Sequence, residues 1–301
     1  MMEFWNAFVS LIPVTLVQSL LYAYASLAIM LPFRILNFPD LTSEGSFPLG
    51  ASTCAAALVA GWHPLPAIAL AMAAGFAAGC ATGWIHEKVR VNTLLCGIIV
   101  LTMLYSINLR IMGAPNVPLF TYDNVFGLAL GARKGESWWQ ALLLGVMLIA
   151  LCVLVLWFLR THIGNAMRAV GASVPMARAQ GVNVAAYTIM GLGLANAFAA
   201  LSGALLAQNQ GFADANLGFG VLINGLAAVI LGETLVGTRT LARQVIAPVV
   251  GSLVYYQVIS VALALGMRPS DLKFLTGLFV LVTLAIPAMR GGGEGRFRIR
   301  E

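Results

Sequence analysis

Trp138-Trp139-Gln140-Ala141-Leu142-Leu143-Leu144-Gly145-Val146-Met147-Leu148-Ile149-Ala150-Leu151-Cys152-Val153-Leu154-Val155-Leu156-Trp157-Phe158-Leu159-Arg160 is the stretch that decides the fold class. Residues 141–159 pass without a single charge, and a helix needs about 20 mostly apolar residues to cross the hydrocarbon of a bilayer. The tryptophan pair in front suits the aromatic belt of a membrane surface, and Arg160 suits the exit from it. Comparable apolar runs occupy residues 8–31, 47–61, 64–85, 91–112, 187–207, 217–231, 245–265 and 272–288. The chain therefore reads as an all-α polytopic membrane protein with about 8–10 transmembrane helices, forming one transmembrane domain over residues 1–301.

Composition points the same way. Of 301 residues, 60% are hydrophobic and 9% charged, against roughly 25% charged in soluble globular proteins. Seventeen basic and eleven acidic side chains cannot solvate a molecule of this size, so lipid must be the solvent for most of it. The net charge of +6 is what Lys and Arg on cytoplasmic loops produce. The one basic concentration, Arg290, Arg296, Arg298 and Arg300, is spaced like a juxtamembrane tail meeting anionic membrane lipid and lacks the aromatic interleaving that nucleic-acid binding uses. Cys54, Cys80, Cys96 and Cys152 lie singly in apolar runs, and His63, His86 and His162 are isolated. Neither set has metal-ligand spacing, so no disulfide, no metal site and no cofactor is expected. One acid and no basic cluster precede Arg34, so the first apolar run is expected to remain as a spanning helix rather than be cleaved.

Lys and Arg also orient the chain. With residues 160–178 inside, Arg34, Lys88, Arg90, Arg160, Arg168, Arg178, Arg239, Arg243 and the four C-terminal arginines fall inside. Arg110, Arg133, Lys134, Arg268 and Lys273 fall outside or near it. Nine spans then place the N-terminus outside, and a broken helix near Asp40 changes the count by one.

The polar piece after Arg160 is the most informative soluble segment. Ser173 is a helix cap with Pro175 in the first turn, and Gly181 is a left-handed stop after Gln180, which together predict one short helix of about two turns. Such a helix is unstable alone in water. Its Met176, Ala177 and Ala179 suit a groove on another protein, and an amphipathic loop on the lipid surface is the plainer reading.

The run Gly164-Asn165-Ala166-Met167-Arg168-Ala169-Val170-Gly171, with Ala177-Arg178 and Gly181-Val182-Asn183, resembles the cytoplasmic segment of permeases in the branched-chain amino acid and ribose class of ATP-binding-cassette (ABC) importers. Leu201-Ser202-Gly203-Ala204-Leu205-Leu206-Ala207, Gly218-Phe219-Gly220 and Ala227-Ala228-Val229-Ile230-Leu231-Gly232 match their pattern too, as does Asp40-Leu41-Thr42-Ser43-Glu44-Gly45-Ser46. With Leu94-Leu95-Cys96-Gly97-Ile98 and Tyr105-Ser106-Ile107-Asn108-Leu109-Arg110, the chain is similar to a branch near permeases proposed for aromatic amino acids. The resemblance implies that residues 161–186 form a coupling segment seated in a separate ABC ATPase subunit. Arg168, Gly171, Ser173, Pro175, Ala177, Arg178 and Gly181 are its candidate residues. It also implies a periplasmic or lipid-anchored solute-binding protein, a second permease copy as a homodimer, and a bacterial inner membrane. No nucleotide-binding Gly-x-x-x-x-Gly-Lys-Ser/Thr loop occurs, so the chain is expected to be a transport subunit and not an enzyme.

Polar groups at membrane depth are the candidates for the solute pathway or gate: Asp40, Glu44, Asn196 and Asn224. A carboxylate there must be capped, paired or facing water. At i, i+4 the two acids would share a helix face, but Pro39 and Gly45 suggest a broken helix start, where Asp40 would cap the amides of Thr42 and Ser43. Capping and direct solute contact both stand at this point. Asp214 and Asn216 precede Gly218 and Gly220 much as Asp40 and Glu44 precede Gly45 and Gly50, the kind of similarity an inverted repeat leaves in transporters. Glu233 and Arg239 suit an anchor, and Gln208-Asn209-Gln210 suits an interface or a pore. The main reading is the permease subunit of an ABC importer moving a small solute, such as an amino acid or a related compound. The alternative is a secondary transporter or channel in which Asp40 and Glu44 bind the coupling proton or cation.

Overall fold

The computed structural model describes residues 2–267 and the single positions 274, 277, 278 and 281, with side chains described from Ser10 on. Apart from those four positions, the apolar run at 272–288 and the arginines at 290, 296, 298 and 300 lie outside the described residues.

The chain is almost wholly helical. In order it forms α1 (Met2–Met30), a π-helical turn (Leu31–Ile35), α2 (Thr42–Val59), α3 (Pro64–Val89), α4 (Thr93–Met112), β1 (Asn116–Pro118), α5 (Val125–Leu130), α6 (Ser137–Arg160), α7 (His162–Ala172), α8 (Val174–Ala179), α9 (Val184–Gln210), β2 (Phe212–Asp214), α10 (Val221–Val236) and α11 (Leu241–Ala264). Among the described residues six helices are long and apolar enough to cross a membrane: α1 with its π turn, α3, α4, α6, α9 and α11. α2 and α10 are shorter, at 18 and 16 residues. The expected all-α polytopic membrane fold is therefore present.

α9 forms the centre. Its Gly, Ala and Ser residues let neighbouring backbones approach closely, which is how helices associate where lipid is as apolar as they are. A Cβ on Gly203 would stand 1.9 Å from the Phe47 carbonyl of α2, and one on Gly50 would stand 1.9 Å from the Ala200 carbonyl of α9. Gly79 of α3 likewise lies against the Leu192 carbonyl. The Gly75 to Gly79 spacing thus marks helix packing. On the other flank α1, α10 and α11 pack together, with Ser252 donating to the Ser19 carbonyl at 2.8 Å and Gly232 set against Ala247.

The two ends of the bundle differ in charge. Arg34, Lys88, Arg90, Arg160, Arg168, Arg178, Arg239 and Arg243 gather with α7 and α8, while Arg110, Arg133 and Lys134 lie beyond the opposite end. The positive-inside rule makes the first end cytoplasmic. The outer end is closed by a two-stranded antiparallel ribbon in which Asn116, Val117 and Pro118 face Asp214, Ala213 and Phe212. Gln208 holds this cover: its Oε1 accepts from the Val125 amide at 2.8 Å, and its Nε2 donates to Cys54 Sγ. That buried position gives Gln208 a structural role in place of an interfacial or pore-lining one.

Pro32 and Arg34, which read as the exit of the first span, instead sit in its π-helical continuation. Inside a continuous helix Pro32 lacks the N–H that would bond back to the preceding turn, and a widened π turn is one of the places where helices accommodate such a break; the Arg34 charge pairs with Glu233 at the end of α10. Glu233 thus is an anchor, with Arg34 rather than Arg239 as its partner. The segment after Arg160 holds two helices where one was expected. α8 follows the prediction, with Ser173 Oγ accepting from the Met176 amide and Gly181 left-handed at φ 78°. α7 was not foreseen.

Candidate functional site

Between the π turn and α2 the chain passes through an irregular connector at residues 36–41, helical at Leu36 and Leu41, which carries the first candidate into the interior. Asn37 takes a left-handed conformation at φ 52°, and the Phe38 amide donates to the Pro32 carbonyl at 2.8 Å. Asp40 follows, fully buried. Its Oδ1 accepts from the Thr42 amide at 2.9 Å and its Oδ2 from Asn196 Nδ2 at 2.8 Å. Asn196 also donates to the Leu192 carbonyl, and Thr42 shares a 2.7 Å hydroxyl contact with Thr82 of α3. A carboxylate taken out of water needs such donors. Of the two amides Asp40 was expected to cap, it bonds that of Thr42 and not that of Ser43, and Asn196 joins Asp40 in tying α2 to α9.

Asn196 is the thirteenth of the 27 residues of α9, close to its midpoint, so α2 begins about 20 Å from either end of a helix that rises 1.5 Å per residue. From there α2 runs toward the outer cover, where Cys54 meets Gln208. α10 begins at a similar depth and runs the other way, to Glu233 and Arg34 at the cytoplasmic end. Glu44 joins the two starts. Its Oε1 accepts from the Gly220 amide at 2.7 Å, the residue before α10, which is left-handed at φ 86° and caps the helix with no side chain of its own. Gly218 allows the approach, since a Cβ there would lie 2.0 Å from the Glu44 carbonyl. Two half-length helices thus converge on one carboxylate at mid-depth, with their positive dipole ends toward each other. Asp40 and Glu44 do not share a helix face: Asp40 precedes α2 and turns to α9, whereas Glu44 turns to α10.

The two aspartates flanking these starts are bonded alike. Asp214 Oδ1 accepts from the amide two residues on, that of Asn216, at 2.7 Å, and its Oδ2 accepts from an asparagine amide, that of Asn116, at 3.2 Å. Asp40 does the same with Thr42 and Asn196. The resemblance between the two starts extends to this bonding and to their opposite directions.

Of the four pathway candidates, Glu44 borders an open cleft, while Asp40 and Asn196 are fully buried. The cleft offers a volume of about 30 Å³ and is lined by Glu44, Gly45, Pro48, Leu101, Tyr105, Asn108, Ala215, Gly218 and Phe219. Asn108 is buried and donates to the Gly45 carbonyl at 3.4 Å. Asn224 accepts from the Tyr255 hydroxyl at 3.2 Å, joining α10 to α11. Tyr105, Asn108 and Gly220 were not singled out from the residues as pathway candidates, because nothing local distinguishes them: the cleft assembles from three separate stretches.

At the cytoplasmic end α7 and α8 form a bracket on the bundle. Met167 and Val170 of α7 and Ala177 of α8 are buried, and Val170 and Ala177 cluster with Val184 at the start of α9. Gly171 abuts the π turn, where a Cβ would lie 1.9 Å from the Ile35 carbonyl. Arg168, Pro175, Arg178 and Gly181 are exposed. Ala177, expected to enter a groove elsewhere, is 2% exposed and anchors α8 to its own protein; the outward apolar side chains are Val174 at 42% and Met176 at 64%. On a six-residue helix only one side can face inward, and the small alanine takes it.

The family model for the permease component of branched-chain amino acid transport systems matches residues 12–285. A tyrosine transport system permease protein of Clostridioides difficile is 38% identical over 269 residues, covering 89% of this chain and 88% of that protein. An uncharacterized protein of Rickettsia prowazekii is 32% identical over 89% of this chain and 94% of its own length. A ribose import permease protein of Escherichia coli K12 is 27% identical over 57% of this chain and 53% of its own. No solved structure matches at a significant level.

Proposed function

The chain belongs to the family of branched-chain amino acid transport system permease components, and on that premise we propose that it carries an aromatic amino acid or a close relative, driven by a separate ATPase seated on α7 and α8. The protein is a multi-pass membrane permease of the ABC importer class. That membership does not favour the self-sufficient carrier in which Asp40 and Glu44 bind a coupling proton or cation. The solute class rests on the similarity to the tyrosine permease of Clostridioides difficile. The complete importer has two copies of this chain in a bacterial inner membrane, an ATPase on each bracket and a solute-binding protein at the outer cover. Residues 161–186 are its coupling segment within a single domain.

The observation that carries this reading is the bracket itself. Ala177, Val170 and Met167 hold it to the bundle, while Val174, Met176 and Arg178 are turned away from the protein. Exposed apolar side chains on a short, rigidly mounted helix are what a protein groove takes up. Through Gly171 the bracket presses on the π turn, whose Arg34 holds α10 and whose continuation leads to α2. Arg168, Ser173, Pro175 and Gly181 shape and end the two helices, and Arg178 meets the partner. ATP binding shifts the importer between outward and inward access only if the ATPase grips the bracket differently in the two states.

Arg178→Glu, in the whole importer reconstituted in vesicles with its ATPase and binding protein, is expected to cut ATP-driven uptake at least tenfold while ATP hydrolysis continues and the permease remains folded. Met176→Glu is expected to do the same by placing a charge in the apolar contact. Uptake at the wild-type rate in both variants removes the bracket from the mechanism.

A further inference from the structure

Two helices turn long faces away from the bundle, and they are chemically unlike. Between Gln140 and Arg160 every exposed residue of α6 is apolar, with Leu142, Val146, Ile149, Val153, Leu154 and Trp157 the largest. The exposed face of α4 is mixed, setting Thr102, Tyr105 and Ser106 among Leu94, Leu95, Ile98, Met103 and Ile107. Thr102 satisfies its hydroxyl on the Ile99 carbonyl at 2.8 Å, as serines and threonines facing lipid do. Tyr105 and Ser106 have no such bond among the described residues, and Tyr105 is 41% exposed. Tyr105 also lines the cleft that Glu44 borders. A half-buried carboxylate at mid-depth cannot face hydrocarbon, because a charge there costs several kcal/mol on any scale. The face of α6 suits lipid throughout; on α4 the patch of Tyr105 and Ser106, where Tyr105 meets the cleft that Glu44 borders, suits water.

The cleft has the chemistry of a site for an organic cation. Glu44 uses Oε1 for the Gly220 amide, and its second oxygen is left to the cleft. No basic residue lines the cleft. Tyr105 and Phe219 supply aromatic rings, Phe219 being 66% exposed, and Pro48 and Leu101 supply apolar wall. A carboxylate flanked by aromatic rings favours an ammonium group through a charge-assisted hydrogen bond and ring-quadrupole attraction. We propose that this cleft is a water-filled station on the solute route, where Glu44 receives the protonated amine of the passing solute and Tyr105 and Phe219 receive its apolar part. This rests on the importer reading above and adds to it the place and the charge of the solute group recognised.

The test needs neither solute nor ATPase, so its failure is separate from that of the importer reading. In a full-length chain with Cys54, Cys80, Cys96 and Cys152 replaced by alanine, single cysteines are placed by Tyr105→Cys, Ser106→Cys, Val146→Cys and Ile149→Cys. Membranes are then treated with cationic and anionic water-soluble methanethiosulfonates. The two α4 positions are expected to label at least tenfold faster than the two α6 positions. At Tyr105→Cys the cationic reagent is expected to outpace the anionic one, and Glu44→Gln, which keeps the acceptor for Gly220 and loses the charge, is expected to lower that preference roughly tenfold. Equal labelling of α4 and α6 overturns the water-filled station. A charge preference unchanged by Glu44→Gln overturns the cation site.

Discussion

α6 and α9 are both long apolar helices, and the more apolar of the two is on the outside. The most apolar stretch of α6 is 22% buried within the protein, and that of α9 is 83% buried. In water the order would be reversed. In lipid, apolarity no longer selects the interior, because the solvent is as apolar as the core; what selects it is how closely two backbones can approach and whether polar groups find partners. α9 brings Gly191, Gly193, Gly203 and a run of alanines to its neighbours, together with Asn196, Ser202 and Gln208, each bonded across to another segment. α6 brings leucine, valine and tryptophan to lipid, and buries only the strip of Ala141, Leu144, Leu148, Val155 and Leu159.

The contrast breaks most severely if a small residue of α9 is enlarged. Gly203→Leu forces a side chain into the Phe47 carbonyl at a crossing with no slack, an overpacking that costs about 3 kcal/mol or more. The folded, detergent-extracted fraction measured by size-exclusion chromatography is expected to fall to near zero. A monodisperse variant would mean that the α2–α9 contact does not organise the bundle. Next comes the polar bond of the same helix. Asn196→Ala leaves Asp40 buried with one donor fewer, a loss of roughly 2 kcal/mol for a hydrogen bond to a charged group. The expected outcome is a lowered midpoint of thermal unfolding in a dye-based scan with the fold retained, and an unchanged midpoint would assign the bond no structural weight. The smallest effect belongs to α6. At Gly145 a Cβ meets nothing within 4 Å, so Gly145→Leu is expected to shift stability by no more than about 0.5 kcal/mol, as outward positions do. Loss of the fold there would show that α6 is packed by another chain and not by lipid.

Much of this architecture is legible in the chain, and the reasons for the exceptions are specific. Spans appear because a lipid-crossing helix has a length and a composition, and eight of the expected runs coincide with α1–α4, α6 and α9–α11. α8 was readable because Ser173, Pro175 and Gly181 are local signals with local causes. α7 was not, since Gly164 and Gly171 look like interruptions. They serve close approach instead, Gly164 against the Phe158 carbonyl at the turn from α6 and Gly171 against that of distant Ile35, and such contacts leave no periodic trace. The site divides in the same way. The need of Asp40 for a cap is a property of its neighbours, so it could be anticipated. That Glu44 would hold Gly220, 176 residues away, depends on how two broken helices are brought together, and no spacing encodes it. Gln208 was ambiguous for the same reason, its partner Val125 lying at the start of α5, 83 residues earlier.

The seat of Gly171 against Ile35 decides how motion at the inner surface is conveyed. Six residues, Leu36 to Leu41, separate Ile35 from the first turn of α2. The connector is held by the Phe38 amide on Pro32, by a T-shaped contact of the Phe38 and His86 rings with centroids 5.0 Å apart, and by Asp40. A nudge on α7 is thus relayed to the middle of the bilayer through a short connector bonded to the bundle at each end. Little of the stroke is lost to the play between side chains.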